Sequence, residues 1–202
     1  MLYINPFLYQ YLCTTGSNLI TLPIDIAQTK VLSNSSSTIN LSEIKWLLLF
    51  PLIFTSQNII YNEISMIKNT FIRGAMAGAL SAPIYTYLET KKMYSRLYIL
   101  PNYYVYSKII LARQTLFYAI LYKISLMNIV NATFISALVA NIIGFPLKLY
   151  ALSKSYSVFI INKKTIKLTA IMEILKASIS DSLALYLMYS PNFSPLKKCH
   201  QF

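Results

Sequence analysis

The sequence predicts an all-α membrane protein of six transmembrane helices, and three observations support that fold class. Of the 202 residues, 56% are hydrophobic and only 12% are charged, whereas roughly a quarter of residues are charged in soluble domains. Six stretches approach the roughly 20 apolar residues that a helix needs to cross a bilayer. Four glycines and two cysteines provide no glycine-rich nucleotide motif, disulfide framework or zinc ligand set.

The candidate spans follow one another with short connections. Three of them contain long apolar stretches with few charges, and these cover residues 46–61, 109–127 and 129–152. The other three are interrupted by polar residues, which are tolerated where neighbouring helices or a watery cavity satisfy them. These weaker spans cover residues 3–27, 74–88 and 168–189.

The net charge of +12 is distributed unevenly between the predicted connections. Six crossings place both termini on one side, and eleven basic residues then follow spans one, three and five, against five on the other side. Arg113 and Lys176 are left inside spans. Because loops on the cytoplasmic side have the excess of Lys and Arg, the richer side is predicted to be the cytoplasm or its matrix equivalent. The charge therefore indicates membrane topology, and no nucleic acid partner is expected.

An internal repeat of about sixty residues runs through the chain. Pro23, Pro83 and Pro146 each stand in an apolar-Pro-aliphatic segment of an odd-numbered span, 60 and 63 residues apart. Arg113 lies 30 residues after the second proline and Lys176 lies 30 residues after the third. This shared phase predicts one domain over 1–202, with repeats 1–66, 67–128 and 129–202 related by threefold pseudo-symmetry.

The odd-numbered helices are predicted to bend at these prolines, because proline removes a backbone hydrogen bond and clashes with the preceding turn. The kinks are expected at Pro23, Pro83 and Pro146. Gly74 and Gly78 precede the second bend in a GxxxG pattern, and Ala140 and Gly144 precede the third. Such small residues allow close approach of a neighbouring helix. We therefore expect a bundle of bent helices whose polar positions point inward.

These segments resemble the mitochondrial carrier family, whose repeats each contain two transmembrane helices and a Pro-x-acid-x-x-basic-x-basic signature. PIDIAQTK matches this signature at Pro23, Asp25 and Lys30, with Gln28 in place of the first basic residue. The other two repeats keep the proline but depart at the charged positions, and Lys148 stands at the acid position of the third. The resemblance covers all six spans and is most specific in the first repeat.

The resemblance implies a gate at the ends of the odd-numbered helices, which the family closes with a ring of salt bridges between signature positions. Asp25, Gln28 and Lys30 are the gate residues implied here, although a plain helix-end acid is the alternative for Asp25. The signature positions supply one acid and no paired base, so we expect apolar and hydrogen-bonded contacts to predominate. The links between the two helices of each repeat are short, and residues 92–102 are expected to form such a loop.

Ionisable residues inside spans are the candidates for substrate binding, because they are costly in lipid and normally face a cavity or a partner. Arg113 and Gln114 lie in LARQTLFYAI, which resembles the family's even-numbered helix with a cavity arginine. Lys176, Ser180 and Asp181 lie in span six. The resemblance implies that these residues bind an anion, for which arginine offers a planar fork and lysine a point charge.

A structural role is the alternative for these charges. Glu173 would pair with Lys176 in its own helix, and Arg113 would snorkel or pair with an acid such as Asp181. The charges would then stabilise the bundle without binding a solute, and both interpretations stay open at this stage.

Nothing in the sequence indicates catalysis, a metal site or a cofactor. The single histidine, His200, has no Ser/His/Asp set or cluster around it. Clusters among the 17 tyrosines lie near span ends, where an interfacial belt explains them better than stacking on a base. The N-terminal segment lacks the pattern of a cleaved leader, so any targeting signal is expected to be internal.

The functional expectation is transport of a small anionic metabolite, such as a nucleotide, phosphate or carboxylate, by alternating access. The resemblance implies the inner membrane of a mitochondrion or a reduced mitochondrial organelle, with lipid around the helices and both termini on the intermembrane side. The alternative is a carrier-derived structural subunit of a larger membrane complex that has lost transport.

Overall fold

The computed structural model of the chain is all-helical over the residues it describes, which are 5–33, 42–127, 132–156, 162–176, 179–180 and 182–184. Five of the candidate spans lie for the most part in one helix each, and span six overlaps α6 over residues 168–176, so the all-α prediction is confirmed for the described residues. The six helices are α1 (Pro6–Ser33), α2 (Ser42–Glu63), α3 (Thr70–Leu97), α4 (Tyr103–Ser125), α5 (Ala132–Ser155) and α6 (Lys163–Lys176).

Local signals explain the boundaries of α3 and α4. The Asn69 side chain accepts hydrogen bonds from two backbone N–H groups of the first turn of α3, at 3.0 and 3.3 Å. Asn102 caps α4 in the same way at 3.3 Å. Tyr98 ends α3 with a φ of 56°, in the left-handed region that commonly terminates helices. The connection between α3 and α4 is therefore short, because it runs only from Tyr98 to Asn102.

The helix α3 extends well beyond its hydrophobic span. The prediction of a loop over residues 92–102 is wrong for residues 92–97, which are the last turns of α3. Hydropathy falls after Leu88, but good helix formers continue and no glycine or proline intervenes before Pro101. Loss of hydropathy therefore marked the end of the apolar span and not the end of the helix.

The six helices form a closed ring in chain order. Each helix packs against the one before it and the one after it, and α6 packs against α1. The contacts are most extensive along α3, α4 and α5, and are sparser around α1 and α6. The first and last helices are therefore neighbours in the more loosely packed part of the ring.

Two glycines allow α3 and α4 to touch through their backbones. A Cβ atom built at Gly74 would lie closer than 3.0 Å to the carbonyl of Tyr118, and one at Gly78 equally close to the carbonyl of Gln114. The close approach predicted from the GxxxG pattern is confirmed at both positions. The same prediction is wrong at Gly144, where a Cβ atom would meet side-chain atoms at the ordinary distance of 3.6 Å or more.

The polarity of the ring is inverted relative to that of a soluble domain. The described interior contains about as many polar as apolar residues. Leu19, Leu80 and Ile142, on three different helices, are 59%, 57% and 49% exposed. Buried hydroxyls such as those of Thr21 and Thr86 donate to carbonyls four residues earlier in their own helices. The helices thus satisfy their polar groups internally and present apolar side chains outward.

One helix in the described part of the chain is long and apolar enough to cross a membrane by composition alone. It is the segment Phe134–Ser155 of α5, with a mean hydropathy of 1.6. Prolines lie inside α1, α3 and α5 at Pro23, Pro83 and Pro146, and a fourth, Pro51, lies inside α2. The six crossings, the threefold repeat and the kinks stay predictions.

Candidate functional site

Asp25 lies at the centre of a cluster of three cations near the C-terminal ends of α1 and α3. Its Oδ1 accepts a hydrogen bond from Lys176 Nζ at 2.7 Å, and its Oδ2 accepts one from Arg96 Nη2 at 2.9 Å. Lys92 Nζ lies 3.4 Å from the same Oδ2. These contacts join α1 to α3 and α6, and one carboxylate neutralises only one of the three charges.

A second buried acid, Glu173 of α6, binds residues from three other helices. Its Oε2 accepts hydrogen bonds from Lys148 Nζ at 2.7 Å and from Gln28 Nε2 at 2.8 Å. Arg113 Nη2 lies 3.8 Å from Oε1. Lys148 also donates to Gln28 Oε1 at 3.3 Å. Glu173 therefore connects α1, α4, α5 and α6 around one side chain.

Glu89 contributes a third acid, with its Oε2 3.0 Å from Lys92 Nζ one turn further along α3. All these charged groups line a cavity of about 170 Å³ within the ring. Five cations face three acids there, so the described lining has a net charge of +2. The Nε of Arg113 is buried and has no hydrogen-bond partner among the described residues. The cavity therefore has cationic capacity that its own acids do not use.

Aromatic and amide side chains complete the cavity wall. Lys92 Nζ lies 4.5 Å from the ring centroid of Phe50, and the Arg113 guanidinium lies 5.4 Å from that of Phe117. Such cation–π contacts stabilise charges that are withdrawn from water. Neutral hydrogen-bonding groups line the rest of the cavity, among them Asn18, Gln114, Asn141 and Ser180.

The structure brings together most of the residues that the sequence predicted for the site. Arg113, Gln114, Lys176 and Ser180 all line the cavity with Asp25. Asp181 lies outside the described residues. Of the other two predicted gate residues, Gln28 is buried and bonded to Glu173, whereas Lys30 is exposed on α1.

The expectation that apolar and hydrogen-bonded contacts predominate at the ends of α1, α3 and α5 is wrong. Asp25 forms ion pairs with Lys92 and Arg96 there, and Lys148 forms one with Glu173. Lys92 and Arg96 lie outside the signature positions, whereas Lys148 occupies the acid position of the third repeat. Lys92 and Arg96 lie in the part of α3 that sequence analysis assigned to a loop.

The structural alternative for the cavity charges predicted the wrong partner for Lys176. Lys176 forms an ion pair with Asp25 of α1, at 2.7 Å, and not the predicted pair within its own helix. Glu173 instead lies between Lys148 and Arg113. The sequence did contain a signal for this arrangement, since Gln28 and Lys148 both depart from the signature. The structure places these two side chains in contact.

The opposite end of the ring is closed by aromatic contacts. The rings of Tyr61 and Tyr122 stack with centroids 3.9 Å apart, joining the C-terminal ends of α2 and α4. The Arg73 guanidinium lies 3.9 Å from the Tyr61 ring centroid, and its Nε donates to the Tyr61 carbonyl at 2.7 Å. The Tyr122 hydroxyl donates to Asn58 Oδ1. Among the described residues, these contacts at this end therefore involve aromatic rings, an amide and the Arg73 guanidinium.

No group of three acidic, histidine or cysteine side chains suitable for a metal ion is present in the part of the chain that the structure describes. Comparison of the chain with protein families, curated proteins and solved structures finds no match in any of the three. The residues that line the cavity therefore define what it can bind.

Proposed function

We propose that the protein is a membrane-spanning transporter of a small anion, with the cationic cavity as its single central site. The observation that supports this most directly is the excess of two positive charges in a buried cavity lined by Arg113 and Lys176. Buried charges are costly unless they are paired. A solute that supplies negative charge would therefore be stabilised here, and a cationic solute would be repelled.

The inverted polarity supports the membrane location. Soluble monomers rarely expose apolar patches larger than a few hundred Å², yet apolar side chains are exposed on all six helices. In a bilayer these side chains contact lipid, and the polar residues that lower the hydropathy of the individual helices are satisfied inside the ring. The proposal thus includes six crossings, although α5 alone meets the simple hydropathy criterion in the described chain.

The size of the cavity limits which solutes can bind in it. A volume of about 170 Å³ holds a handful of water molecules at roughly 30 Å³ each, and it is smaller than the 300–1,000 Å³ or so typical of sites for drug-sized ligands. Phosphate or a short carboxylate fits this space better than a nucleotide does. Arginine and lysine both suit such oxyanions.

The mode of action that we propose is alternating access of the carrier type. The ring has an ionic contact cluster at one end and an aromatic contact cluster at the other. Residues from the helices that form these clusters also line the cavity. This arrangement, together with the signature residues Pro23 and Asp25, supports a divergent relationship to mitochondrial carriers. The same proposal places the protein in a mitochondrial-type inner membrane with both termini on the intermembrane side.

Uptake into liposomes tests the proposal. The full chain, reconstituted with labelled phosphate and short carboxylates outside, is expected to accumulate at least one of them. Arg113→Gln and Lys176→Gln are each expected to lower the uptake rate at least tenfold, because each removes a cavity cation. Lys108→Gln and Lys154→Gln are the matched controls, since both lysines are exposed, and neither is expected to change uptake by more than twofold.

A structural subunit is the second candidate, and the pairing of Lys176 with Asp25 and of Arg113 with Glu173 favours it. Charges that already have internal partners can hold helices together without a solute. Absence of uptake for every anion tested would favour this candidate over transport. Uptake that is unaffected by both cavity substitutions would show that the site lies elsewhere.

A further inference from the structure

We propose that an anion enters this site by exchange with Asp25, so that the Asp25 carboxylate acts as a built-in competitor for the site. This inference rests on the proposed function and extends it to the way in which occupancy is controlled. It identifies the ligand as a small oxyanion, phosphate or carboxylate, that takes the place of a side-chain carboxylate.

The hydrogen-bond donors that an anion would use are already bound to Asp25. The two oxygens of Asp25 engage Lys176 Nζ at 2.7 Å and Arg96 Nη2 at 2.9 Å. Arg96 Nη1 donates to Thr29 Oγ1 at 2.8 Å, which holds its guanidinium in place. An incoming oxyanion that uses these cations must therefore take donors that now bind Asp25.

The residues of the Asp25 cluster differ in how accessible they are from the cavity. The side chains of Asp25 and Lys176 are 15% and 28% exposed, whereas those of Lys92 and Arg96 are 8% and 4% exposed. All four residues line the cavity. The Asp25–Lys176 pair is thus the most accessible contact of the cluster, and it is the contact at which an anion from the cavity can begin to replace the carboxylate.

The free energy of the exchange depends on the charges around Asp25. Three cations face the two acids Asp25 and Glu89 in this cluster, and the cavity lining as a whole has a net charge of +2, so it can take up a monoanion or a dianion. A dianionic phosphate would neutralise more of that charge and offers more acceptor oxygens than a carboxylate does. Exchange at Lys176 therefore replaces one charge-assisted hydrogen bond with a comparable one, while Asp25 keeps Arg96 and Lys92 as partners, so no buried charge is left unpaired.

The exchange has a structural consequence. The Asp25–Lys176 contact joins α1 to α6, which close the sparsely packed side of the ring. An anion that takes Lys176 from Asp25 removes this bond between the first and last helices. Binding would then be coupled to loosening of the ring at that seam.

The test uses the purified full chain in lipid nanodiscs, with inorganic phosphate and formate as probes. The dissociation constants are measured by equilibrium dialysis of the labelled anions. The sole tryptophan, Trp46, lines the cavity, and its fluorescence provides a local readout. Asp25→Asn keeps the shape of the side chain and removes its charge, and it is expected to bind the anions at least tenfold more tightly than wild type.

Glu63→Gln is the matched control, because Glu63 is an exposed acid at the end of α2 and its loss is expected to leave both dissociation constants unchanged. Unchanged or weaker anion binding by Asp25→Asn would overturn the inference. If Asp25→Asn does not fold, the double variant Asp25→Asn/Lys176→Gln keeps the charge balance. It retains Lys92 and Arg96 and lacks the Asp25 carboxylate, while Glu89 stays 3.0 Å from Lys92. It is expected to bind more tightly than wild type, and no gain there would also overturn the inference.

A rescue experiment separates competition from a purely structural role. Asp25→Ala leaves room for a small carboxylate, so millimolar formate is expected to raise its thermal unfolding temperature, while neutral formamide has no effect. Equal responses to formate and formamide would contradict the inference. Anion binding strengthened by Asp25→Asn without any liposomal uptake would refute transport and leave the exchange intact, whereas uptake without strengthened binding would refute the exchange alone.

Discussion

At one end of the ring, Asp25 and Glu173 join α1, α3, α5 and α6 through ion pairs, whereas at the other end the stacked rings of Tyr61 and Tyr122 join α2 to α4. The separation is large, because Arg73 and Arg96 are 23 positions apart in α3, which corresponds to roughly 35 Å of helix. The two contact clusters are therefore far apart and differ in their chemistry, although α3 contributes to both.

The difference teaches that the two ends respond to different agents. Ion pairs in a cavity are sensitive to any solute that offers a competing charge, and they are strongly destabilised when one partner is lost. Aromatic stacking depends on ring area and geometry, and small ions have little effect on it. We therefore expect anions to act on the ionic end, while the aromatic end is affected by substitutions of its rings.

The largest effect is expected from breaking the ionic end at Glu173. Glu173→Ala leaves Lys148 and Arg113 buried without their acid, and such a loss costs about 3–5 kcal/mol. The measurement is the free energy of unfolding in mixed micelles titrated with SDS. Replacement of both partners in Glu173→Met/Lys148→Met is expected to recover much of the loss. A double variant no more stable than Glu173→Ala would show that the pair acts through more than its charge.

The next largest effect is expected where α3 and α4 touch, between the two ends. Gly78→Ala forces a Cβ against the Gln114 carbonyl, and overpacking of this kind costs about 1–3 kcal/mol. Gly144→Ala and Gly16→Ala are matched controls, because a Cβ has room at both and alanine is the better helix former by roughly 0.5–1 kcal/mol. Equal unfolding free energies for all three variants would contradict the close packing of α3 on α4.

A smaller effect is expected at the aromatic end, where Tyr61 allows the ring and the hydroxyl to be separated. Tyr61→Leu removes the stack on Tyr122 and the contact with Arg73, and we expect a loss of about 1–2 kcal/mol. Tyr61→Phe keeps the ring and removes a buried hydroxyl that has no partner among the described residues. It is expected to be neutral or stabilising in the same unfolding assay. A loss in Tyr61→Phe as large as that in Tyr61→Leu would mean that the hydroxyl is bonded.

The smallest effect is an expected gain at Tyr98, the last residue before the chain turns from α3 to α4. Tyr98 has a φ of 56° and is 77% exposed, and a residue with a Cβ pays roughly 1 kcal/mol for this conformation. Tyr98→Gly is expected to raise the unfolding free energy by about 0.5–1 kcal/mol. Tyr98→Ala retains the Cβ and is expected to give no such gain, which the same titration can verify.

The helices were predictable from the sequence because hydropathy is a local property. Three of the six spans have polar interruptions, yet all six overlap a helix, since the apolar residues on their outer faces are numerous enough to be recognised. The Gly74–Gly78 contact was also predictable, because a GxxxG pattern leaves a groove on one face of a single helix.

The partners of the charges were not predictable in the same way. The inward position of Arg113 and Lys176 could be inferred from their own helices, but the pairing of Lys176 with Asp25 links residues 151 positions apart. Such a pairing depends on which helices meet at which height. Lys92 and Arg96 were missed for a further reason, since the hydropathy that located α3 ended before they began.

The closure of the ring by α1 and α6 has a consequence for assembly. Chains are made from the N-terminus, so Asp25 is synthesised long before Lys176. Its first available partners are Lys92 and Arg96 of α3, and the acid can be neutralised as soon as the third helix is in place. Glu173 arrives last, when Lys148 and Arg113 have already been made. The order of charges along the chain thus lets Asp25 and Glu89 meet bases of α3 before α5 and α6 are made.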